Sequence, residues 1–249
     1  MKLSLVIGLA PSLVAAIWAW RIFASGKLSR FRYLSLLLAW IVLTSVAGTF
    51  LARALDRNDL YSQVFLTVDV VRWGLLVSAV LESAMLVLDS YQGFVELGKR
   101  LIGTSLAISG LAIATLWALV PAEVVDTLLN FWRFQTYVVY TSLATACLLF
   151  GLFAAYFRLR PGRNEKLNFM AITVLLVGDV LSGVYLGAGP EVFYINVGLH
   201  FAVFLAGALA FSPAAEPAVE RAPMDRDAGV GAAANLEGMN ETLLRLFKR

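Results

Sequence analysis

Apolar residues run along this chain in seven long blocks, which are separated by charged or turn-forming residues. A helix needs about 20 residues to cross the ~30 Å hydrocarbon layer of a bilayer. The pattern therefore predicts an all-α protein with seven transmembrane helices, over residues 3–24, 33–52, 62–88, 102–120, 135–157, 168–187 and 192–211. The last two blocks are joined by a short turn in which Pro190 favours the start of a helix, so we expect a close antiparallel hairpin there.

Composition supports a multi-pass membrane protein. Of the 249 residues, 60% are hydrophobic and 15% are charged, against roughly 45–50% and 25% in soluble domains. The single cysteine, Cys147, excludes an intrachain disulfide, and the single histidine, His200, excludes a multi-histidine metal site. We expect no cofactor and no metal.

Basic residues are distributed unequally between the two sides of the predicted bundle. One side has fifteen of them: Arg21, Lys27, Arg30, Arg32, Lys99, Arg100, Arg158, Arg160, Arg163, Lys166, Arg221, Arg226, Arg245, Lys248 and Arg249. The other side has four, Lys2, Arg53, Arg57 and Arg133. Since positive charge is retained in the cytoplasm, the N-terminus is predicted outside and the C-terminus inside. Only Lys2 precedes the first apolar block, which predicts a retained span rather than a cleaved signal peptide.

The chain changes character after the seventh block. Residues 1–212 are predicted to form the bundle, and residues 213–235, rich in Pro, Ala and Gly, a flexible linker. Residues 236–249 have apolar side chains at helical spacing and end in basic residues. They fit a short basic amphipathic helix on an anionic inner leaflet, or a frayed tail. No nucleic-acid partner is indicated.

Several charged and polar side chains lie within the predicted spans. A charge at the centre of a bilayer costs at least ~2.5–3.5 kcal/mol, so each must face protein or water and have a partner. We predict one buried polar cluster in the outer half of the bundle, formed by Asp69, Arg72, Asp179, Asn196, His200 and Tyr137. Glu82 is predicted to make a separate contact in the inner half.

The third span is polar on two sides, which predicts that it is the central helix of the bundle. At about 100° per residue, Asp69, Arg72 and Ser83 fall on one side, and Thr67, Ser78 and Glu82 on the other. Such a helix has no face suited to lipid. Asp69 and Arg72, three residues apart, can also pair within the helix. The cluster can therefore be functional or only self-neutralising, and His200 can be a structural histidine.

Spans five and seven also have patterned faces. Asn196 and His200 form a polar stripe on span seven, while Gly198, Ala202, Ala206 and Ala210 form a stripe of small residues. Small residues allow close helix packing, so we expect this second stripe to contact a neighbouring helix. On span five, a stripe of Tyr137, Thr141 and Thr145 is expected to face the interior.

Catalytic motifs are missing from the sequence, which predicts that the protein is not an enzyme. It has no G-x-S-x-G, H-E-x-x-H, P-loop or dinucleotide fingerprint. The segment Leu176-Val177-Gly178-Asp179 lacks the first Gly of the intramembrane aspartyl protease pattern, and Asp69 follows Val68 rather than a Tyr. Span seven has no Lys for a retinal Schiff base, which excludes a rhodopsin.

Span three and its exit resemble a group of uncharacterised bacterial seven-span membrane proteins. The resemblance lies in Leu81-Glu82-Ser83-Ala84, Asp89-Ser90-Tyr91-Gln92-Gly93-Phe94 and Leu97-Gly98-Lys99-Arg100. It implies a multi-pass protein of the bacterial inner (cytoplasmic) membrane, and it implies no activity.

Two functions fit these observations. The first is a non-enzymatic inner-membrane protein that senses a ligand or binds a protein partner at its basic cytoplasmic loops. The alternative is a proton- or cation-coupled transporter or channel subunit, with Asp69, Asp179 and Glu82 along the ion path. The absence of a detectable repeat is evidence against a transporter. The ligand and the oligomeric state stay open.

Overall fold

All regular secondary structure in the described part of the chain is helical. A computed structural model describes residues 2–54, 59–89, 92–119, 128–157, 159, 161–184 and 190–213, and these form seven helices and no strand. The helices are α1 (Lys2–Ala24), α2 (Arg32–Ala54), α3 (Asp59–Leu88), α4 (Gln92–Leu119), α5 (Leu128–Tyr156), α6 (Arg163–Val184) and α7 (Pro190–Ala210). Each covers most of one predicted apolar block, so the all-α prediction is confirmed. The predicted linker beyond Pro213 and the amphipathic helix after it lie outside the described residues.

Two described helical stretches are long and apolar enough to cross a membrane, Val68–Leu88 in α3 and Val138–Tyr156 in α5. Shorter apolar stretches occur in three other helices, Leu9–Ala24, Arg32–Gly48 and Tyr194–Ala210. Length and composition therefore support membrane-spanning helices at two places in the described part of the chain.

Local sequence sets several helix ends. Gly26 follows α1 with a φ of 69°, and Lys27 N donates to Ile22 O at 3.3 Å. This Schellman ending needs a left-handed residue, which glycine supplies without steric cost. At the start of α6, Glu165 accepts a hydrogen bond from Gly162 N at 2.8 Å, the return contact of a capping box. Pro190 is the first residue of α7, as predicted.

Helix α3 has the central position in the bundle. The main contacts follow chain order from α1 to α7 and close between α7 and α1, and α3 also packs against α5 and α6. It thus packs against α2, α4, α5 and α6, whereas α1, α2, α4 and α7 each have two main neighbours. This is the position that the charged residues of span three led us to expect.

One face of α3 is nevertheless open, contrary to the prediction that neither side suits lipid. Val70, Val71 and Leu81 are exposed on it. The polar residues that led to the prediction have other partners: the Ser78 hydroxyl donates to Gly74 O of its own helix at 2.8 Å, and Glu82 contacts α2. A helix can therefore be polar on two sides without being enclosed on both.

The small-residue stripe of α7 does not make the predicted helix contact, which is a second correction. Gly198, Ala202 and Ala206 are exposed, and a Cβ added at Gly198 would meet nothing within 4 Å. The buried face of α7 is instead Phe204, Gly207 and Ala208, and it continues into Phe211, directly after the helix. These residues contact α1 and the α1–α2 loop, where the Trp18 and Phe31 rings lie 6.5 Å from Phe204 and 5.7 Å from Phe211, respectively.

Polar side chains hold the C-terminal end of α7, at the face of the bundle where α1 ends and α6 begins. Arg21 donates to Phe211 O and Lys27 to Ser212 O, both at 2.9 Å. Asn164 pairs with both backbone groups of Ser212, also at 2.9 Å. Carbonyls at a helix C-terminus lack intrahelical partners and favour cations, so these contacts satisfy α7 where it ends.

Candidate functional site

Five of the six residues predicted for the buried polar cluster are brought together by α3, α6 and α7, at a distance from the α7 end contacts, and Tyr140 of α5 joins them. Helix α3 provides Asp69 and Arg72, α6 provides Asp179, and α7 provides Asn196 and His200. Asp179 is sixteen residues beyond the start of α6, which corresponds to roughly 24 Å at ~1.5 Å per residue. We call Asp69, Arg72, Tyr140, Asp179, Asn196 and His200 the polar cluster.

Asp179 contacts three other members of the polar cluster. Its Oδ2 lies 3.7 Å from an Arg72 guanidinium nitrogen, and its Oδ1 lies 3.4 Å from His200 Nε2. Asn196 Nδ2 donates to the same Oδ1 at 3.4 Å. One carboxylate therefore connects α3 with two positions on α7, which explains why these polar groups tolerate a largely apolar interior.

Arg72 has further partners on both sides. Asp69, one turn earlier on α3, interacts with it electrostatically, so an intrahelical and an interhelical acid act on the same guanidinium. The guanidinium carbon also lies 5.6 Å from the centre of the Tyr140 ring, a cation–π distance that brings α5 into the cluster.

The contacts in the polar cluster are long. Charge-assisted N–H···O bonds are usually about 2.7–2.9 Å, whereas the three contacts of Asp179 are 3.4 to 3.7 Å. The side chain of Arg72 is 31% exposed, while those of Asp179 and His200 are 11% and 16% exposed. The cluster is thus reachable at Arg72 and closed around Asp179.

Two buried atoms of the cluster have no hydrogen-bond partner among the described residues, Arg72 Nε and Asn196 Oδ1. One is a donor and the other an acceptor. Arg72 Nε would be satisfied by an acceptor of a bound molecule, and Asn196 Oδ1 by a donor. Across the described residues, no group of three or more His, Cys, Asp or Glu side chains is arranged to hold a metal ion.

Sequence analysis predicted Tyr137 in the cluster and missed Tyr140. Tyr137 is in α5, but its side chain lies outside the described part of the structure. Tyr140 is the residue over Arg72, and its side chain is buried. Whether Tyr137 joins the cluster therefore stays a prediction. The predicted interior stripe of α5 is wrong at Thr145, which is exposed and donates to Thr141 O of its own helix at 2.8 Å.

Glu82 lies apart from the cluster and closes the start of α2. Its carboxylate accepts hydrogen bonds from the backbone N–H groups of Tyr33 and Leu34 at 3.0 to 3.1 Å. The first N–H groups of a helix lack intrahelical partners and carry partial positive charge, so a carboxylate is well suited to them. Glu82 thus acts as an N-cap supplied by a neighbouring helix.

We expect Glu82→Ala to lower the free energy of unfolding by about 1 kcal/mol, the usual effect of losing an N-cap. Backbone hydrogen exchange should rise at Tyr33 and Leu34. The matched control is Ser78→Ala, one helical turn earlier on α3, whose hydroxyl bonds only to its own helix. Unchanged exchange at the start of α2 in Glu82→Ala would refute the cap.

Comparisons with known proteins do not assign the chain to a family. Neither a family model, nor a curated protein, nor a solved structure matches the chain. The resemblance to bacterial seven-span proteins therefore stays a prediction.

Proposed function

We propose that the protein is a seven-helix, multi-pass protein of the bacterial inner membrane that senses a ligand or binds a partner, and is not an enzyme. Its N-terminus is outside and its C-terminus inside. The polar cluster is the ligand site, and the basic face at the other end of the bundle contacts the partner.

The outer surface of the bundle supports the membrane part of this proposal. Every helix exposes large apolar side chains, among them Leu13, Leu43, Val70, Leu111, Leu152, Leu181 and Leu209. A soluble bundle would place polar residues on these outward faces. The charged cluster lies between the helices, the arrangement that a hydrocarbon surrounding favours.

The single observation that carries the ligand-binding proposal is the polar cluster itself. Four helices contribute to it, its contacts with Asp179 are long, and two of its buried atoms lack a partner among the described residues. A ligand that bridges Arg72 and Asn196 would change how α3 and α7 are held together. Such a change could reach the inner face through α7, whose end is held by Arg21, Lys27 and Asn164.

The transporter alternative has less support. An ion path would use Asp69, Asp179 and Glu82 as successive binding sites. However, the carboxylate of Glu82 already accepts hydrogen bonds from backbone N–H groups of α2. The two aspartates share one cation, Arg72, and so belong to a single site.

Charge distribution gives a direct test of topology. Reporter fusions after Arg163 and after Arg249 should both report a cytoplasmic location, because the fifteen basic residues lie on that side. A fusion after Arg57 should report the opposite side and serves as the internal control. A periplasmic signal after Arg163 would mean that the number of spans before α6 is even.

Ligand sensing and transport are separated by two measurements on the same reconstituted protein. Proteoliposomes under an imposed proton or sodium gradient should show no flux above protein-free vesicles. In detergent, a library of small polar molecules should contain compounds that raise the melting temperature of the wild type but not of Asp179→Asn. Flux that Asp179→Asn abolishes would instead establish the transporter, and a library without such compounds would contradict ligand sensing.

A further inference from the structure

The hydrogen-bond inventory around His200 is unusual for a neutral imidazole. Nδ1 lies 2.9 Å from Asn196 O, a carbonyl oxygen that can only accept, so Nδ1 carries a hydrogen and donates. In a neutral ring the other nitrogen, Nε2, would then have a lone pair and no hydrogen. Nε2 faces Asp179 Oδ1 at 3.4 Å, so a neutral ring would direct its lone pair at a carboxylate.

The net charge of the cluster is a second, independent argument that His200 is not neutral. The described groups that face the pair are Arg72 and Asp69 on α3, Tyr140 on α5 and Asn196 on α7. From α1, the stretch Leu9–Ala24 has Arg21 as its only charged residue, at the inner end. With His200 neutral, two aspartates share one arginine and the site has a net negative charge. One additional proton makes it neutral, which a low-dielectric interior favours.

We propose that Asp179 and His200 bind one proton from solvent between Oδ1 and Nε2, so that His200 is an imidazolium that donates from both ring nitrogens. The proton is thus a ligand of the polar cluster in its own right. It joins α6 to the middle of α7, where the other contacts of Asp179 are long. The proposal deepens the proposed function in one respect, since it adds a bound proton to the ligand site.

The single histidine makes the proposal directly measurable. We would label the full chain with nitrogen-15 histidine, purify it through a tag without histidine, and reconstitute it in lipid vesicles at neutral pH. All imidazole signals then come from His200. Both ring nitrogens should carry hydrogen. A spectrum with hydrogen on Nδ1 only would overturn the proposal.

A variant pair tests the role of Asp179. In Asp179→Asn an amide Nδ2–H can face Nε2, so the neutral ring is satisfied and the hydrogen on Nε2 should be lost. Glu82→Gln removes a carboxylate from the same bundle away from the cluster, and it should leave both nitrogens protonated. An Asp179→Asn protein that retains the hydrogen on Nε2 would show that Asp179 does not hold the proton. If Asp179→Asn fails to fold, the wild-type spectrum alone decides.

These outcomes are separable from those of the proposed function. A neutral His200 would refute the bound proton and leave ligand sensing intact. Ion flux through proteoliposomes would refute sensing while a doubly protonated His200 still stood.

Discussion

Replacing Arg72 with leucine is expected to lower the melting temperature in detergent by about 5–10 °C, and by more than Asp69→Asn does. Removing one partner of a fully buried ion pair costs about 3–5 kcal/mol. The Arg72 side chain is 31% exposed, so we expect about 2–3 kcal/mol, and each kcal/mol shifts the midpoint of a chain of this size by roughly 2–4 °C. The change leaves both Asp69 and Asp179 without their shared cation, whereas Asp69→Asn leaves Asp179 paired with Arg72.

The control for this comparison lies on the same helix as Asp179. Leu181→Ala removes a side chain that is 56% exposed on the outer surface of α6 and should change the midpoint little. Arg72→Lys keeps the charge but loses the flat guanidinium over Tyr140, so its midpoint should fall between those of the wild type and Arg72→Leu. Equal midpoints for Arg72→Leu and Leu181→Ala would show that the cluster contributes nothing to stability.

The helices could be predicted from sequence because a single physical requirement fixes them. An apolar block of about twenty residues bounded by charges or turns has few alternatives to a helix. The same reasoning extends to the charges: a buried acid needs a partner, and Arg72 in span three is the one basic residue that lies away from the ends of a predicted span. The meeting of Arg72 with Asp179 follows from that scarcity.

The contact of Tyr140 with Arg72 could not be predicted in this way. Positions three apart differ by only about 60° around a helix, so Tyr137 and Tyr140 both fit a polar interior face. The rotation of α5 is set by its packing against α3, α4 and α6, which the sequence of α5 does not contain. Hydropathy therefore identified the helix and left its exact rotation undetermined.

Polarity also misled where a side chain had a local partner. Ser78 and Glu82 made α3 look polar on a second side, which suggested full enclosure. Ser78 bonds to its own backbone and Glu82 to the start of α2, so neither needs the interior. A polar group away from water needs a hydrogen-bond partner rather than an enclosed position, and the linear sequence does not show where that partner lies.

The buried face of α7 could not be predicted from its small residues either. A four-residue repeat of Gly and Ala was visible on α7, yet the buried face alternates large and small residues at Phe204, Gly207, Ala208 and Phe211. The reason lies on the neighbouring helix. Trp18 is almost fully buried there, and its ring needs a position on α7 that has no side chain.

Gly207→Ala should therefore destabilise the bundle although alanine favours helix. A Cβ at Gly207 would lie 2.6 Å from three atoms of the Trp18 ring, closer than real Cβ contacts. The ring is rigid and enclosed, so α1 and α7 must separate, and overpacking of this kind costs about 1–3 kcal/mol. We expect a midpoint roughly 3–8 °C below that of the wild type.

Gly198→Ala is the matched control, since it makes the same change on the same helix where a Cβ would meet nothing within 4 Å. It should leave the midpoint unchanged or raise it slightly, because alanine in a helix interior is favoured over glycine by about 0.5–1 kcal/mol. Trp18→Phe should recover part of the loss when combined with Gly207→Ala, since a smaller ring leaves room for the added methyl group. Strict additivity of the two changes would mean that Gly207 and Trp18 do not interact, because contacting residues give a coupling energy of about 0.5–3 kcal/mol.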